Sequence, residues 1–256
     1  MRLLTYNIRE GGLGRAALIA DVIKSVDPDV VALQEAREPQ VVEEIARICG
    51  FEYWGSQRAH STGFLSRIEV TNHAWRQPPR TRHAILEVAL EGPFKRLFVV
   101  HLRAWFSKWS ERQRVIELRG LLDGIKGQLE RENRSFAFHM LAGDFNALAP
   151  DEKFDSSSMP TWIRGMVWLS GRDIARTTIA MMRSEGYVDA WRALYRDHAS
   201  DPGHTFPVWH PHVRLDYVFT PAQFASRLKS CTVVREPEIV TRASDHFPLL
   251  VEVSDV

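Results

Sequence analysis

The sequence predicts an α/β fold in which two β-sheets pack together and the helices lie outside them. Two observations support this class. The order of predicted elements mixes hairpins with strand–helix units, and two of the strands alternate apolar and polar residues, as in a half-buried sheet. The chain has 256 residues, 45% hydrophobic and 25% charged, the balance of an ordinary globular protein. Neither a shift of composition nor an internal repeat divides it, so we expect a single domain over residues 1–256.

The N-terminal half combines strands with amphipathic helices. Apolar residues at helical spacing predict a helix over residues 15–26. Pro39 and Gly50 mark the start and end of a second helix, because proline suits the first helical turn and glycine the position just past the last one. Six strands are expected in this half, over residues 2–7, 30–35, 63–67, 70–76, 83–91 and 95–102.

The C-terminal half begins with a long helix. Ser110 and Gln113 have the spacing of a capping box, which predicts the helix start. One helix face then carries the apolar residues Val115, Leu118, Leu122, Ile125 and Leu129. Residues 147–170 are rich in Pro, Ser and Trp and show no clean periodicity, and a long irregular connection in a compact domain is often functional. Further strands are expected near residues 136–142, 214–220, 231–236 and 248–254.

Charge and cysteine content limit the possible classes of protein. The formal net charge is +1, so any binding of a polyanion must come from local patches. Cys49 and Cys231 lie in apolar contexts, and we expect reduced core residues rather than a disulfide. The first residues turn polar too soon for a signal peptide, and no run of about 18 apolar residues is present. We therefore expect a cytoplasmic protein with no stable membrane association.

Polar residues with catalytic potential follow apolar strands at several places. A glutamate at a strand end is usually only solvated, a single histidine is usually structural, and Gly-Asp-Phe-Asn could be a simple turn. Six such segments in one chain nevertheless indicate an active site. They contain Asn7, Glu35, His101, Asp144 with Asn146, Asp216, and Ser244-Asp245-His246 before the final strand.

These segments make the sequence resemble the endonuclease/exonuclease/phosphatase superfamily, which includes DNase I-like nucleases, abasic-site endonucleases, deadenylases, sphingomyelinases and inositol phosphate phosphatases. The matching blocks run from Asn7 to His246, and their most specific motifs are Gly143-Asp-Phe-Asn146 and Ser244-Asp-His246, with Gln34-Glu35. The resemblance implies a four-layer α/β sandwich, with two mixed sheets face to face and helices outside. It also implies metal-dependent hydrolysis of phosphate esters.

A metal site is part of what the resemblance implies. Glu35 is a hard oxygen ligand suited to Mg²⁺ or Mn²⁺, and Asn7 can add a neutral carbonyl oxygen. In the superfamily these two positions hold the metal. Asp245 is expected as a further ligand, direct or through water, although it could instead cap the local turn. The absence of a Cys/His cluster argues against structural zinc.

The remaining motif residues match catalytic positions of the superfamily. Asp144 corresponds to the group that orients or deprotonates the attacking water, and Asn146 to a ligand of that water or of a phosphate oxygen. His246 corresponds to the phosphate-contacting histidine, with Asp216 orienting its ring. His101 corresponds to a second histidine that contacts the phosphate or protonates the leaving group in several branches. Abasic-site endonucleases usually have a tyrosine near that position, so dedicated abasic-site repair is less expected.

The substrate class stays open between two readings. Basic residues mixed with tryptophans in residues 57–83 and 103–119 suit a phosphate backbone with stackable bases, and they favour a nuclease on DNA or RNA. Within them Arg80, Arg82 and Arg103 are the predicted substrate-binding residues. The alternative function is a phosphatase or phosphodiesterase that acts on a phospholipid headgroup or a small phosphate ester. The two basic stretches could also be no more than a solvated surface. Protein partners are not indicated by the sequence.

Overall fold

Two six-stranded β-sheets form the centre of the protein, which we describe from a computed structural model. The structure describes residues 1–77, 81, 83–92, 96–105, 107–131, 138–150, 152, 165, 175–195 and 202–254. All statements about contacts refer to these residues.

The first sheet contains both ends of the chain. β1 and β2 run parallel and their neighbours antiparallel, so the sheet is mixed. Asn7 at the end of β1 lies opposite Gln34 at the end of β2, and both strands therefore deliver polar residues to the same edge. The strand order is β11-β12-β1-β2-β4-β3. The strands are β1 (Arg2–Asn7), β2 (Val30–Gln34), β3 (Tyr53–Gly55), β4 (Thr62–Ser66), β11 (Leu228–Val233) and β12 (Leu249–Val253).

The second sheet has the same mixed character. Its parallel pair is β7 with β8, and the other pairs are antiparallel. The strand order is β5-β6-β7-β8-β10-β9. The strands are β5 (Val70–Arg76), β6 (Ile85–Leu90), β7 (Arg96–His101), β8 (His139–Asp144), β9 (Tyr187–Asp189) and β10 (Asp216–Pro221).

Helices cover the outer faces of the two sheets. α1 (Ala16–Val26) and α2 (Pro39–Cys49) pack together against the first sheet. Pro39 occupies the first turn of α2 and Gly50 ends it in a left-handed conformation, as predicted. α3 (Lys108–Arg131) and α4 (Thr177–Ser184) cover the second sheet. The short helices are α5 (Ala190–Leu194) and α6 (Val240–Ala243).

The alternation of side chains divides the second sheet between two cores. Val99 and Ala142 belong to the core between the sheets, whereas their neighbours Val100 and Leu141 pack against α3. Burial of a large apolar side chain contributes roughly 1.5–3 kcal/mol, so both layers are held by many such contacts. The predicted four-layer α/β sandwich with two mixed sheets face to face is confirmed.

The start of α3 differs from the prediction. The helix begins at Lys108, and the Ser107 hydroxyl accepts a hydrogen bond from the Ser110 amide at 3.1 Å. Ser107 is therefore the capping residue, and the capping box assigned to Ser110 and Gln113 is wrong. Ser107 and Ser110 lie in the same short polar segment. The three-residue spacing to Gln113 pointed to Ser110 as the capping residue, although Ser107 has that role.

The short elements β3, α4, β9, α5 and α6 were not predicted. Cys49 and Cys231 are buried free thiols, as expected. Across the described ranges we find no helix whose length and apolar character would let it cross a membrane.

Candidate active site

Three catalytic candidates lie in one row across the second sheet. In the parallel pair of β7 and β8, His101 lies opposite Asp144. In the antiparallel pair of β8 and β10, Asp216 lies opposite the same Asp144. β7 and β8 thus end, and β10 begins, at the same edge of the sheet. The pairing register therefore brings these three residues together although they are far apart in the sequence.

The Gly-Asp-Phe-Asn motif is a turn that fixes the carboxylate of Asp144. A Cβ on Gly143 would lie 1.8 Å from the carbonyl oxygen of Val100, and its φ is +150°, so only glycine fits. Asn146 adopts a positive φ of 48°, and its backbone amide donates to Asp144 Oδ1 at 2.8 Å. The Asn146 side-chain amide donates to the carbonyl of Leu102 at 3.1 Å. One face of this side chain is therefore used to hold the turn.

The Ser-Asp-His motif joins the two sheets. The Ser244 hydroxyl donates to the carbonyl oxygen of Asn7 at 2.6 Å and accepts from the His246 amide at 3.3 Å. His246 Nδ1 lies 2.8 Å from Asp216 Oδ2, so the two members of the predicted pair are in contact. Thr205 Oγ1 accepts from the Asp216 amide at 3.4 Å and supports the start of β10.

A second group of polar side chains, those of Asn7 and Glu35, lies at the ends of β1 and β2. The Asn7 side-chain nitrogen donates to Asp144 Oδ2 at 3.1 Å and to Glu35 Oε1 at 3.4 Å, so one amide connects the two carboxylates. Its oxygen accepts from the Arg9 amide at 3.0 Å. Glu35 has a positive φ of 58°, and its Oε2 accepts from the Glu10 amide at 2.6 Å.

Asp245 lies at the border of this group. Its Oδ2 is 3.8 Å from Arg9 Nε, and its Oδ1 is 3.4 Å from the Ser244 hydroxyl. The structure therefore brings together the predicted catalytic and metal-binding residues Asn7, Glu35, His101, Asp144, Asn146, Asp216, Asp245 and His246.

Burial and neighbouring charges give the central groups distinct protonation states. Burial and the charge of Asp216 raise the pKa of Asp144 to about 7. Burial opposes the charged form of His246, but the charge and hydrogen bond of Asp216 outweigh it and raise the His246 pKa to about 10. Burial, with the charges of His83 and His246, lowers the pKa of His101 to about 3. Near neutral pH the site thus combines a carboxyl close to its pKa, an imidazolium and a neutral imidazole.

The donor set suits a hard divalent metal ion. Ligand atoms of Asp144, Asp216 and His246 lie within 4.8 Å of one another, so these residues could hold a metal. Asp216 Oδ1 is buried and has no hydrogen-bond partner among the described residues, which leaves an acceptor open. His246 Nδ1 already faces Asp216, and a protonated ring has no lone pair for a metal. The carboxylates, including that of Glu35, therefore fit Mg²⁺ or Mn²⁺ better than the imidazole does. The Asn7 oxygen accepts from the Arg9 amide, so Asn7 would offer it to a metal ion after rotation of its side-chain amide.

Comparison with known proteins assigns the family. The sequence model of the Endonuclease/Exonuclease/phosphatase family matches residues 4–246. The chain belongs to this family. It is accordingly a phosphoesterase, with the predicted motifs at the edge where the two sheets meet. None of the curated proteins matches the chain in sequence.

Several solved structures of the family share the fold. The 3′ phosphatase NExo from Neisseria, in a structure of a variant bound to a product DNA hairpin, has a TM-score of 0.72 and 18% identity, with 99% of each chain covered. An AP endonuclease from Archaeoglobus fulgidus has a TM-score of 0.72 and 19% identity, again with 99% of each chain covered. At this level of identity the similarity concerns the fold.

The arginines expected to bind substrate have different outcomes. Arg80 and Arg82 lie outside the described residues. Arg103 is half-buried, and its guanidinium lies over the Trp109 ring at 4.2 Å from the centroid. Its role as a substrate ligand for this phosphoesterase stays a prediction. Most of residues 147–170, the connection predicted to be functional, also lies outside the described residues.

Three arginines of the two basic stretches make contacts within the protein. Arg114 is buried, with its guanidinium bonded to Glu111 and to the carbonyls of Arg103 and Trp105. Arg67 pairs with Asp27, and Arg76 pairs with the buried Glu87. These three arginines of the two basic stretches, none of which was a predicted substrate ligand, therefore bind acidic partners within the protein.

Two aromatic residues near His246 were not predicted from the sequence. The ring of Phe206 lies 4.7 Å from that of His246, centroid to centroid, at an angle of 44°. Trp209 lies 6.3 Å from Phe206 and is 69% exposed. We call these two residues the aromatic face of the site. Their position shortly before Asp216, in a segment rich in histidine, was an available signal.

Proposed function

We propose that this phosphoesterase is a nuclease that cleaves phosphodiester bonds of DNA or RNA, with Mg²⁺ or Mn²⁺ as its cofactor. The observation that carries the proposal is the aromatic face, Phe206 and Trp209, beside the catalytic pair of His246 and Asp216. Exposed aromatic side chains stack on nucleobases of any sequence. A phospholipid headgroup or a small aliphatic ester has no flat ring for such a face to hold.

Two structural neighbours support a nucleic-acid substrate. The Neisseria enzyme was bound to a DNA hairpin, and the Archaeoglobus fulgidus protein is an AP endonuclease. Their fold extends over nearly the whole of this chain, so the same scaffold is available here for a polynucleotide.

Asp144 and His246 would divide the chemistry between a base and a cation. With a pKa of about 7, Asp144 can orient the attacking water and accept its proton near neutral pH. The protonated ring of His246 would donate to a phosphate oxygen and stabilise the charge that grows in the transition state. Asp216 holds the ring through Nδ1, so that Nε2, which lies 3.9 Å from Asp144 Oδ2, faces the reacting groups.

His101 and Asn146 would contact the phosphate. His101 Nε2 lies 4.0 Å from Asp144 Oδ2, and its low pKa makes it a neutral hydrogen-bonding group rather than an acid. Asn146 Nδ2 uses one of its two hydrogens on the Leu102 carbonyl, so the second can donate to a phosphate oxygen and the side-chain oxygen can accept from the water.

Glu35 and Asn7, with Asp245 beside them, would hold the metal ion, which supplies positive charge against the phosphate oxygens when bound. These side chains offer hard oxygen ligands, which divalent cations such as Mg²⁺ prefer. The Asn7 side chain also connects Glu35 to Asp144 through hydrogen bonds. The chain's own groups then supply the base, the imidazolium and the orientation of the phosphate.

An activity panel tests the proposal. Purified protein with Mg²⁺, with Mn²⁺ or with EDTA is assayed on single- and double-stranded DNA, on RNA, and on phosphomonoesters, a small diester and phospholipids. We expect metal-dependent cleavage of at least one polynucleotide. Rapid cleavage of a phospholipid or small ester without any cleavage of DNA or RNA would refute the nuclease assignment and leave the family unchanged.

A variant pair tests the aromatic face. Trp209→Ala should lower the ratio of kcat/KM for an oligonucleotide to that for bis(p-nitrophenyl) phosphate by about tenfold, because stacking on one base contributes roughly 1–3 kcal/mol. Ile116→Ala, at an exposed apolar residue on α3, serves as the matched control and should leave the ratio unchanged. An unchanged ratio in the Trp209 variant would remove the main support for a nucleic-acid substrate.

A further inference from the structure

A second histidine–carboxylate pair lies next to the active site. His83 Nδ1 is 3.5 Å from Glu117 Oε1, and the Glu117 side chain is only 4% exposed. His83 precedes β6, whereas Glu117 lies on α3, so the pair joins the second sheet to its covering helix. The motifs that match the family include neither residue.

This pair reaches the catalytic groups through His101. The rings of His83 and His101 stack with centroids 6.2 Å apart and planes 19° from parallel. His101 in turn approaches Asp144 through Nε2. The site therefore continues beyond His101 with one more imidazole, on the side opposite the pair formed by His246 and Asp216.

The two imidazoles differ in their access to solvent. The side chain of His101 is 12% exposed, whereas that of His83 is 30% exposed. His83 Nδ1 is itself buried, so the exposed part of the ring is the part turned away from Glu117. A ring that served only to pack against His101 would need neither a carboxylate at one edge nor solvent at the other.

We propose that His83, positioned by Glu117, binds a second phosphate group of the substrate, next to the one that is cleaved. The proposal rests on the proposed nuclease function, because a polynucleotide carries a phosphate on each side of the scissile one. In a protonated imidazole both nitrogens donate, so one can face Glu117 while the other faces a phosphate oxygen. His83 then determines preference for substrates with an additional phosphate and is not required for the bond cleavage itself.

The test compares dinucleotides that differ only in a terminal phosphate. The substrates are thymidylyl-thymidine without a terminal phosphate, with a 5′-phosphate and with a 3′-phosphate, all cleaved in the presence of Mg²⁺ or Mn²⁺. His83→Phe keeps a flat ring to stack on His101 but cannot donate a hydrogen bond. Glu117→Gln keeps the shape of the carboxylate and removes its charge. Thermal unfolding of both variants shows whether the fold is retained.

We expect wild-type protein to prefer one of the two phosphorylated dinucleotides. In His83→Phe the ratio of kcat/KM for that dinucleotide to kcat/KM for the unphosphorylated one should fall about tenfold, mainly through KM, as for the loss of one charge-assisted hydrogen bond. Glu117→Gln should change the ratio in the same direction by a smaller factor.

Two results would overturn the inference. An unchanged ratio in His83→Phe would do so, including the case in which all three substrates lose kcat equally, since His83 would then act only by supporting His101. Failure of the wild type to cleave any DNA or RNA in the activity panel, while it cleaves bis(p-nitrophenyl) phosphate, would refute the nuclease function and this inference with it. The two failures are distinguishable because one appears only in the variant and the other in the wild type.

Discussion

Replacing the proposed base should make the protein more stable while it removes activity. Asp144 is 1% exposed, and burial together with the nearby charge of Asp216 raises its pKa from 3.8 to about 7. The folded protein therefore holds this proton more tightly than the unfolded chain does. The free energy of unfolding therefore falls as pH rises from about 4 to 7, because the unfolded chain releases the Asp144 proton first. Above the folded pKa this decrease is complete. Asp144→Asn removes the ionisation and with it this cost.

The size of the effect follows from the pKa difference and the local hydrogen bonds. A rise of roughly 3 pKa units corresponds to about 4 kcal/mol as an upper limit. In the variant, the side-chain oxygen of the new asparagine can still accept from the Asn146 amide. Its side-chain NH2 group, however, would face the Asn7 nitrogen, which in the wild type donates to Asp144 Oδ2 at 3.1 Å. That conflict costs about 1–3 kcal/mol. A net gain of about 2 kcal/mol at pH 8 remains, or roughly 5 °C in Tm for a chain of this size.

The assay is thermal unfolding of wild type and Asp144→Asn between pH 4 and 8 in excess EDTA, with activity measured separately in Mg²⁺. EDTA matters because a bound cation would stabilise the ionised carboxylate. The gain in stability of Asp144→Asn over wild type should grow with pH, and near pH 4, where only the hydrogen-bond conflict remains, the variant should be the less stable protein. A variant that is less stable than wild type at pH 8, by an amount that does not vary with pH, would refute the electrostatic reasoning.

Asp216→Asn is the matched control and should change stability in the opposite direction. It removes the anion that raises the pKa of His246 to about 10. The stabilisation from this ion pair is fully present below about pH 6.5, the ordinary pKa of histidine, and is lost as pH rises through 10. The control variant should therefore have a lower Tm than wild type at pH 6–8.

Three further predictions concern the metal, the catalytic pair and the turn. Glu35→Gln should weaken Mg²⁺ binding in calorimetry and lower turnover by orders of magnitude with little change in Tm, and full wild-type activity in EDTA would contradict this. Separate alanine variants of His246 and Asp216 should each lose activity, but the double variant should lose much less than the product of the two effects; multiplicative losses would mean independent action. Gly143→Ala places a Cβ 1.8 Å from the Val100 carbonyl, so β7 and β8 must separate at a cost of about 4 kcal/mol or more, and an unchanged Tm would exclude that clash.

Sequence periodicity predicted the long elements and missed the short ones. Ile19, Val22 and Ile23 are buried on one face of α1, as their spacing indicated. β9 and α5 were missed because runs of three and five residues are too short to show a period. Arg114 shows a further limit: its spacing from Glu111 is visible in the sequence, but its burial depends on how α3 meets the segment after β7.

For the site, sequence reasoning reached the motif residues but not the contacts between distant segments. Asp144 and His246 were recognisable because each follows a short, specific motif. The proximity of His83 to Glu117, or of Phe206 to His246, depends on the packing of α3 and of the loop before β10. No local pattern encodes such packing, and neither residue of the first pair belongs to a motif.

The two sheets meet at the proposed catalytic residues. Asn7 of the first sheet donates to Asp144 of the second at 3.1 Å, and His246, which precedes β12 of the first sheet, lies 2.8 Å from Asp216 of the second. Each sheet therefore brings only part of the catalytic set, and the face-to-face packing of apolar side chains completes it. Because close-packed interiors transmit small shifts, a change of volume between the sheets would displace these partners relative to one another. The geometry needed for catalysis thus depends directly on the core that holds the sandwich together, and activity is expected to be more sensitive than folding to substitutions between the sheets.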